Sequence, residues 1–321
     1  MSTPTHPLND RPSRPASPDF AGRRVITFES RRAAEMASLI QRYGGVPVTA
    51  PTLREVSIER NERALDFARR LAGAELDLVI LMTGVGTRAL VAEAAPALEP
   101  GHGGDGAPDA DAGAQGVSLM AAALSSVQLV VRGPKPAAAL RELGVTRFVT
   151  VPEPNTWREI LSVVRGLGDL SGKRIAVQEH GAPSHELYAG LEAAGARVTP
   201  VPVYRWALPE DTSALRQALR LLADGGAAIT LFTSRAQVEH ALLVAAEEGL
   251  VDRLRAGLAR GMVASIGPVC TEALRAEGIE PDVEPEHPKM GHLVRAAAVR
   301  SGEVLARKES QGDAPPPAQS S

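Results

Sequence analysis

The sequence predicts an α/β protein with mostly parallel sheets. Three observations carry this. Strand-like and helix-like segments alternate along the chain. The strand-like segments are short continuous apolar runs, as strands covered on both faces are. And three strand–turn–helix segments occur twice.

The elements come in order. RRVITFES (23–30) reads as a strand and RRAAEMASLIQRYGG (31–45) as a helix closed by glycine. LDLVILM (76–82) and VQLVVRG (127–133) are strands, with KPAAALRELG (135–144) and TWREILSVVRGLG (156–168) as helices. KRIAVQE (173–179) and HELYAGLEAAG (185–195) form the next strand and helix. AAITLF (227–232), QVEHALLVAAEEG (237–249), MVASIG (262–267) and CTEALRAEG (270–278) complete the alternation. The Pro- and Ser-rich residues 1–21 and the tail 302–321 are expected to be disordered.

The repeats indicate duplication. GRRVITFESRRAAEMASLIQRYGGVPVTAPTL resembles GKRIAVQEHGAPSHELYAGLEAAGARVTPVPVY, about 150 residues later. LDLVILMTGVGTRALV resembles AAITLFTSRAQVEHAL at a similar offset. VVRGPKPAAALRELGV resembles VASIGPVCTEALRAEGI at a smaller one. Residues 99–116, rich in Gly, Asp and Ala, account for the difference and read as a mobile surface insertion. A lid over a site is the functional alternative for that stretch.

Composition narrows the function. The net charge of −3 argues against sequence-independent nucleic-acid binding. Aromatics at 3% leave little for ring stacking. A single cysteine, Cys270, forms no internal disulfide, which fits a reducing cytoplasm. No apolar run has the length of a membrane span, and the N-terminal stretch has no apolar signal-peptide core. The pairs His180/His185 and His287/His292 lack the setting of a zinc site, so no metal and no cofactor is expected.

The most informative stretch is Thr83-Gly84-Val85-Gly86-Thr87, where an apolar strand runs into a glycine turn and a helix start. Main-chain N–H groups converge there on an anion. The lysine of a nucleotide phosphate loop is missing. A related turn, Thr233-Ser234-Arg235, closes the echoing strand. The turns RGPKP (Arg132, Gly133, Lys135), EHGAPS (His180, Gly181) and GPVCT (Gly267, Cys270, Thr271) also lie at strand C-terminal ends, where open α/β sheets bind ligands.

The order and spacing of TGVGTRALV, RGPKPAAALRELG, VTPVPVYRW, LFTSRAQVEHAL and SIGPVCTEALRAEGIEP, over roughly residues 22–300, resembles the uroporphyrinogen-III synthase family. The resemblance implies two flavodoxin-like or Rossmann-like α/β domains, joined by a two-stranded β linker, with the active-site cleft between them. Domain 1 would be residues 22–50 plus 206–301, and domain 2 residues 55–203. The crossings would be VPVTAPTL and VTPVPVYRW.

The resemblance also implies a cytoplasmic, monomeric, cofactor-free lyase. It would close the linear tetrapyrrole hydroxymethylbilane, received from hydroxymethylbilane synthase, with inversion of the last pyrrole. Each pyrrole carries an acetate and a propionate, so the anion of the glycine turns would be a row of carboxylates. Tyr204 matches the family's suspected general acid; an ordinary phenol keeps its proton at neutral pH. The alternative for Tyr204 is a cap on the interdomain ladder. Ser234 matches a strand-end serine, which equally caps the next helix. Gly267 allows close approach. Arg132 and Lys135 add charge or are solvated surface residues, and His180 is a ligand contact or a loop histidine.

Two positions depart from the family. Cys270 and Pro136 stand where threonine is usual, although Thr271 follows Cys270 directly. The departures keep a second function open: a non-catalytic module sensing a tetrapyrrole or another polycarboxylate.

Overall fold

The computed structural model describes residues 17–58, 61–99 and 110–312. Two compact units divide the chain. Unit 2 is Thr52–Thr212, and unit 1 takes the chain up to Pro51 and again from Ser213. The chain thus starts in unit 1, makes the whole of unit 2, and returns.

Unit 2 holds a five-stranded parallel sheet. Its strands are β4 (Leu78–Leu81), β5 (Gln128–Val131), β6 (Val149–Thr150), β7 (Arg174–Gln178) and β8 (Arg197–Val201), in the order β6-β5-β4-β7-β8. Successive residues of the central strand enter different cores, as the pleat requires. Val79 and Leu81 pack with α2 (Glu62–Ala72), α3 (Gly84–Ala94), α4 (Ala110–Ser126) and α5 (Pro134–Glu142), through Phe67, Leu90, Met120 and Leu140. Leu78 and Ile80 pack with α6 (Trp157–Gly166) and α7 (His185–Glu192), through Ile160, Val164 and Leu187. Helices therefore cover both faces, which is why these strands carry no polar alternation. At the other end of the sheet, the Asp77 carboxylate accepts from Arg174 N and Nε at 2.8 and 3.0 Å. Those hydrogen bonds hold its carboxyl below the usual range.

Unit 1 builds a four-stranded parallel sheet from β1 (Arg24–Thr27), β2 (Val46–Thr49), β10 (Ile229–Phe232) and β11 (Met262–Ser265), in the order β11-β10-β1-β2. Val25, Ile229, Leu231 and Met262 pack against Met36 and Ile40 of α1 (Ala33–Arg42) and against α12 (Met290–Gly312). The remaining helices of this unit are α8 (Ser213–Ala223), α9 (Arg235–Glu247), α10 (Val251–Arg260) and α11 (Pro268–Ala276).

The duplication is explicit in the strand orders: β11, β10, β1 and β2 stand where β5, β4, β7 and β8 stand. The fifth strand, β6, has its counterpart in a single parallel bridge between Ala264 and Val283. Pro47 lies in β2 and Pro200 in β8, both edge strands, where a missing N–H costs no ladder bond.

Several expectations need correction. The two-stranded ladder pairs β3 (Arg54–Ser57) with β9 (Tyr204–Ala207), antiparallel, so VPVT and VTPV belong to the parallel sheets instead. The supposed insertion 99–116 is partly helix: α4 begins at Ala110, while 100–109 lie outside the described residues. Gly116 is buried, and a Cβ there would stand 2.7 Å from the carbonyl oxygen of Ala95, so it is a packing glycine and not a loop glycine. The tail expected from 302 continues α12 to Gly312, with Val304 and Leu305 buried and Lys308 Nζ 2.7 Å from Asp282. At the other end, residues 1–16 lie outside the described residues, but Phe20 is fully buried and its N–H donates to Tyr43 O at 2.7 Å.

Truncation after residue 301 should therefore destabilise unit 1 by ~3 kcal/mol or more, from the loss of two buried aliphatic side chains. Denaturant unfolding measures this, and an unshifted midpoint would return the segment to the status of a tail.

Candidate functional site

The strand-end turns are built by main-chain N–H groups that have left the sheet and not yet joined a helix. After β4, the N–H groups of Met82 and Thr83 both donate to Gln178 Oε1, at 3.1 and 3.2 Å. Gln178 ends β7, is fully buried, and its amide also donates to Glu179 O. Thr83 then caps α3, its Oγ accepting from Gly86 N at 3.0 Å. Thr87 is buried and its hydroxyl donates to Thr83 O at 2.8 Å. The N–H groups of Gly84 and Val85 remain, with no acceptor among the described residues. Val85 is exposed and both glycines are buried. A Cβ on Gly84 would come 2.6 Å from the carbonyl oxygen of Lys135, and one on Gly86 would overlap the Gln178 amide. Gly84 thus lets the β4 turn press against the β5 turn, and Gly86 leaves room for the Gln178 amide at the end of β7.

Tyr204 opens β9 almost fully buried, packed edge-on against Trp206 with ring centroids 5.4 Å apart. Its Oη lies 3.4 Å from Thr83 Oγ, which brings the candidate acid to the candidate anion turn. His180 and Gly181 serve this ladder. The Trp206 indole N–H donates to His180 O at 2.8 Å. Gly181 has φ +93°, and a Cβ there would collide with the same indole.

The β5 turn differs in kind. Pro134 and Pro136 have no N–H, so this helix start offers few amide donors. Pro136 and Gly133 are buried, Lys135 is exposed and Arg132 is partly buried.

In unit 1, Thr233 N donates to Gln237 Oε1 at 2.7 Å and the Thr233 hydroxyl donates to Glu29 at 2.7 Å. Ser234 caps α9, accepting from Gln237 N at 3.3 Å, and Arg235 is the first helical residue. Gly267 opens α11, and its carbonyl accepts from the N–H groups of Cys270 and Thr271 at 3.1 and 3.0 Å. Cys270 is buried, and burial pushes its thiol up to about 11. Thr271 is buried with its hydroxyl on Glu284, so it supplies no substitute for the threonine missing at Cys270.

Sequence reading missed the two glutamines. Each holds a strand-end threonine N–H, Gln178 from the neighbouring strand and Gln237 from its own helix. The signal for Gln178 was a lone amide ending the apolar run RIAVQ.

Duplicated parallel α/β units, with helix starts gathered at their strand ends, define the class of protein. The family is specific. Residues 34–295 match the family model described as Uroporphyrinogen-III synthase HemD, and the chain belongs to that family. It is similar to "Putative uroporphyrinogen-III synthase" of Methanothermobacter thermautotrophicus, 30% identical over 282 residues, covering 87% of this chain and 98% of the relative. It is also similar to "Uncharacterized protein YjjA" of Bacillus subtilis, 31% identical over 276 residues, covering 85% and 94%. Among solved structures, a mutant uroporphyrinogen III synthase from Thermus thermophilus matches with a TM-score of 0.61 at 25% identity, over 89% of this chain and 100% of that one. Among the described residues, no helix is long and apolar enough to cross a membrane.

Two outcomes test this geometry. Gln178→Ala strands two main-chain N–H groups and should lower stability by ~2 kcal/mol or more in denaturant unfolding. Cys270, with its thiol held neutral, should react with a disulfide reagent at pH 8 about a hundredfold more slowly in the native chain than in urea.

Proposed function

We propose that the chain is a lyase that closes hydroxymethylbilane to uroporphyrinogen III with loss of water, in tetrapyrrole biosynthesis. The observation that carries this reading is the placement of Tyr204 Oη 3.4 Å from Thr83, beside the open N–H groups of Gly84 and Val85. In this reading the helix start of α3 holds substrate carboxylates, and Thr83 caps that helix while it does so. The first pyrrole's nitrogen pushes out the hydroxyl of the hydroxymethyl group. Tyr204 gives its proton to that oxygen, so the C–O bond breaks to release water. The last pyrrole attacks the resulting azafulvene at its substituted carbon, and the spiro intermediate fragments and recloses. The tyrosinate takes back a proton when the final pyrrole regains aromaticity. The protein's larger task is to hold the chain ends in the geometry that favours inversion over direct closure.

One observation favours the sensing alternative. Neither Pro136 nor the buried Cys270 offers a hydroxyl, and Thr271 is engaged by Glu284.

The decisive assay generates hydroxymethylbilane in place with its synthase, adds the chain, and resolves the oxidised isomers. Enrichment of the inverted isomer is expected, and a mixture equal to the protein-free control would sink the enzyme reading. Tyr204→Phe should slow formation of that isomer roughly tenfold or more with the fold intact. An unchanged rate would confine Tyr204 to packing against Trp206.

A further inference from the structure

The β5 turn contains a charge that the fold does not use. Arg132 follows the last residue of β5, and its N–H donates to Leu81 O at 3.0 Å. The guanidinium is partly buried, yet it makes no hydrogen bond and no ion pair among the described residues. Burial pushes it below its ordinary value, and Tyr204 is the neighbour that opposes this shift. Among the described residues, every other arginine with a shifted value has a carboxylate partner: Arg32 with Glu35, Arg88 with Glu142, Arg216 with Glu248 and Arg275 with Glu280.

The duplication supplies an internal control. Aligning Gly133-Pro134 with Gly267-Pro268 places Ile266 opposite Arg132. Ile266 N donates to Phe232 O at 3.0 Å, the same bond Arg132 makes to Leu81. The turn therefore forms equally well around an aliphatic side chain, and nothing in its construction calls for a cation. A partly desolvated guanidinium without a partner lowers stability, and an anion that completes its hydrogen bonds recovers the difference. The surrounding turn cannot substitute for it, because Pro134 and Pro136 remove two amide donors.

We infer that Arg132 is the fixed carboxylate receptor of unit 2, gripping one carboxylate of a tetrapyrrole beside Tyr204 and Thr83, where the neighbouring turns use main-chain N–H groups. This rests on reading the unit 2 turns as the substrate site, but not on turnover. A planar guanidinium takes a carboxylate through two parallel hydrogen bonds, so it fixes orientation as well as position. Exposed Lys135 has neither property.

The test titrates the full chain with uroporphyrin, a polycarboxylate tetrapyrrole, and follows thermal melting in parallel. The wild-type chain should bind saturably. Arg132→Gln should weaken binding about tenfold or more while melting at the wild-type temperature or higher, since an unpartnered charge has been removed. Arg132→Lys should recover part of the affinity, and Lys173→Gln, an exposed position before the start of β7, should bind like the wild type. Absence of saturable wild-type binding, unchanged affinity in Arg132→Gln, or no recovery in Arg132→Lys would each overturn the inference. Arg132-dependent binding by a chain that leaves the isomer mixture unchanged would keep the receptor and remove the enzyme.

Discussion

A parallel strand that runs directly into a helix leaves main-chain N–H groups that neither element can take. How these are settled shapes the C-terminal edge of the sheet in each unit. The buried amides of Gln178 and Gln237 accept from the N–H groups nearest the sheet, and the hydroxyls of Thr83 and Ser234 accept from those one turn into the helix. What remains between them, at Gly84 and Val85, is a short donor surface fixed from both sides. A ligand meeting it imposes little reorganisation, because the caps and glutamines have already set the backbone.

The same logic separates the turns that the sequence makes look alike. TGVGT keeps donors because glycine and valine leave the N–H in place. RGPKP loses them at two prolines and carries a guanidinium instead. GPVCT turns its polar groups inward, with Cys270 and Thr271 both buried. A site read simply as a row of equivalent amide turns would miss this division between dipoles, charge and packing.

The duplication, the parallel sheets and the family were legible in the sequence, because apolar runs ending in small-residue turns carry a strong and repeated signal. The discontinuous unit boundaries at Pro51 and Ser213 lie near the expected crossings, which the resemblance rather than the pattern suggested. Glycine-rich composition misled at 99–116, since Gly116 serves close approach to Ala95 and its alanine neighbours favour helix. The ladder was set too early in the sequence, VPVTAPTL stopping just before β3 and VTPVPVYRW reaching β9 only at its end, because Val- and Pro-containing segments suit a sheet edge as well as a linker. At the candidate site the turns were visible in the letters, but the orientations of their side chains were not. Nothing in the letters shows that Thr87 and Thr271 donate their protons internally, or that Arg132 has no partner among the described residues.

The chain's detour through unit 2 also sets an order of events during synthesis. All strands of unit 2 lie between residues 54 and 207, so that unit has its full complement before the second part of unit 1 exists. Strand β1 is central to its sheet, yet Val25 pairs with Ile229, about two hundred residues downstream. Until β10 emerges from the ribosome, β1 and β2 have no core to join, and their apolar residues stay in the hands of solvent or chaperone. Unit 1 bears a loop-closure cost that unit 2 escapes, and nascent chains arrested between the two crossings would carry one finished unit and one sticky, unpaired strand pair.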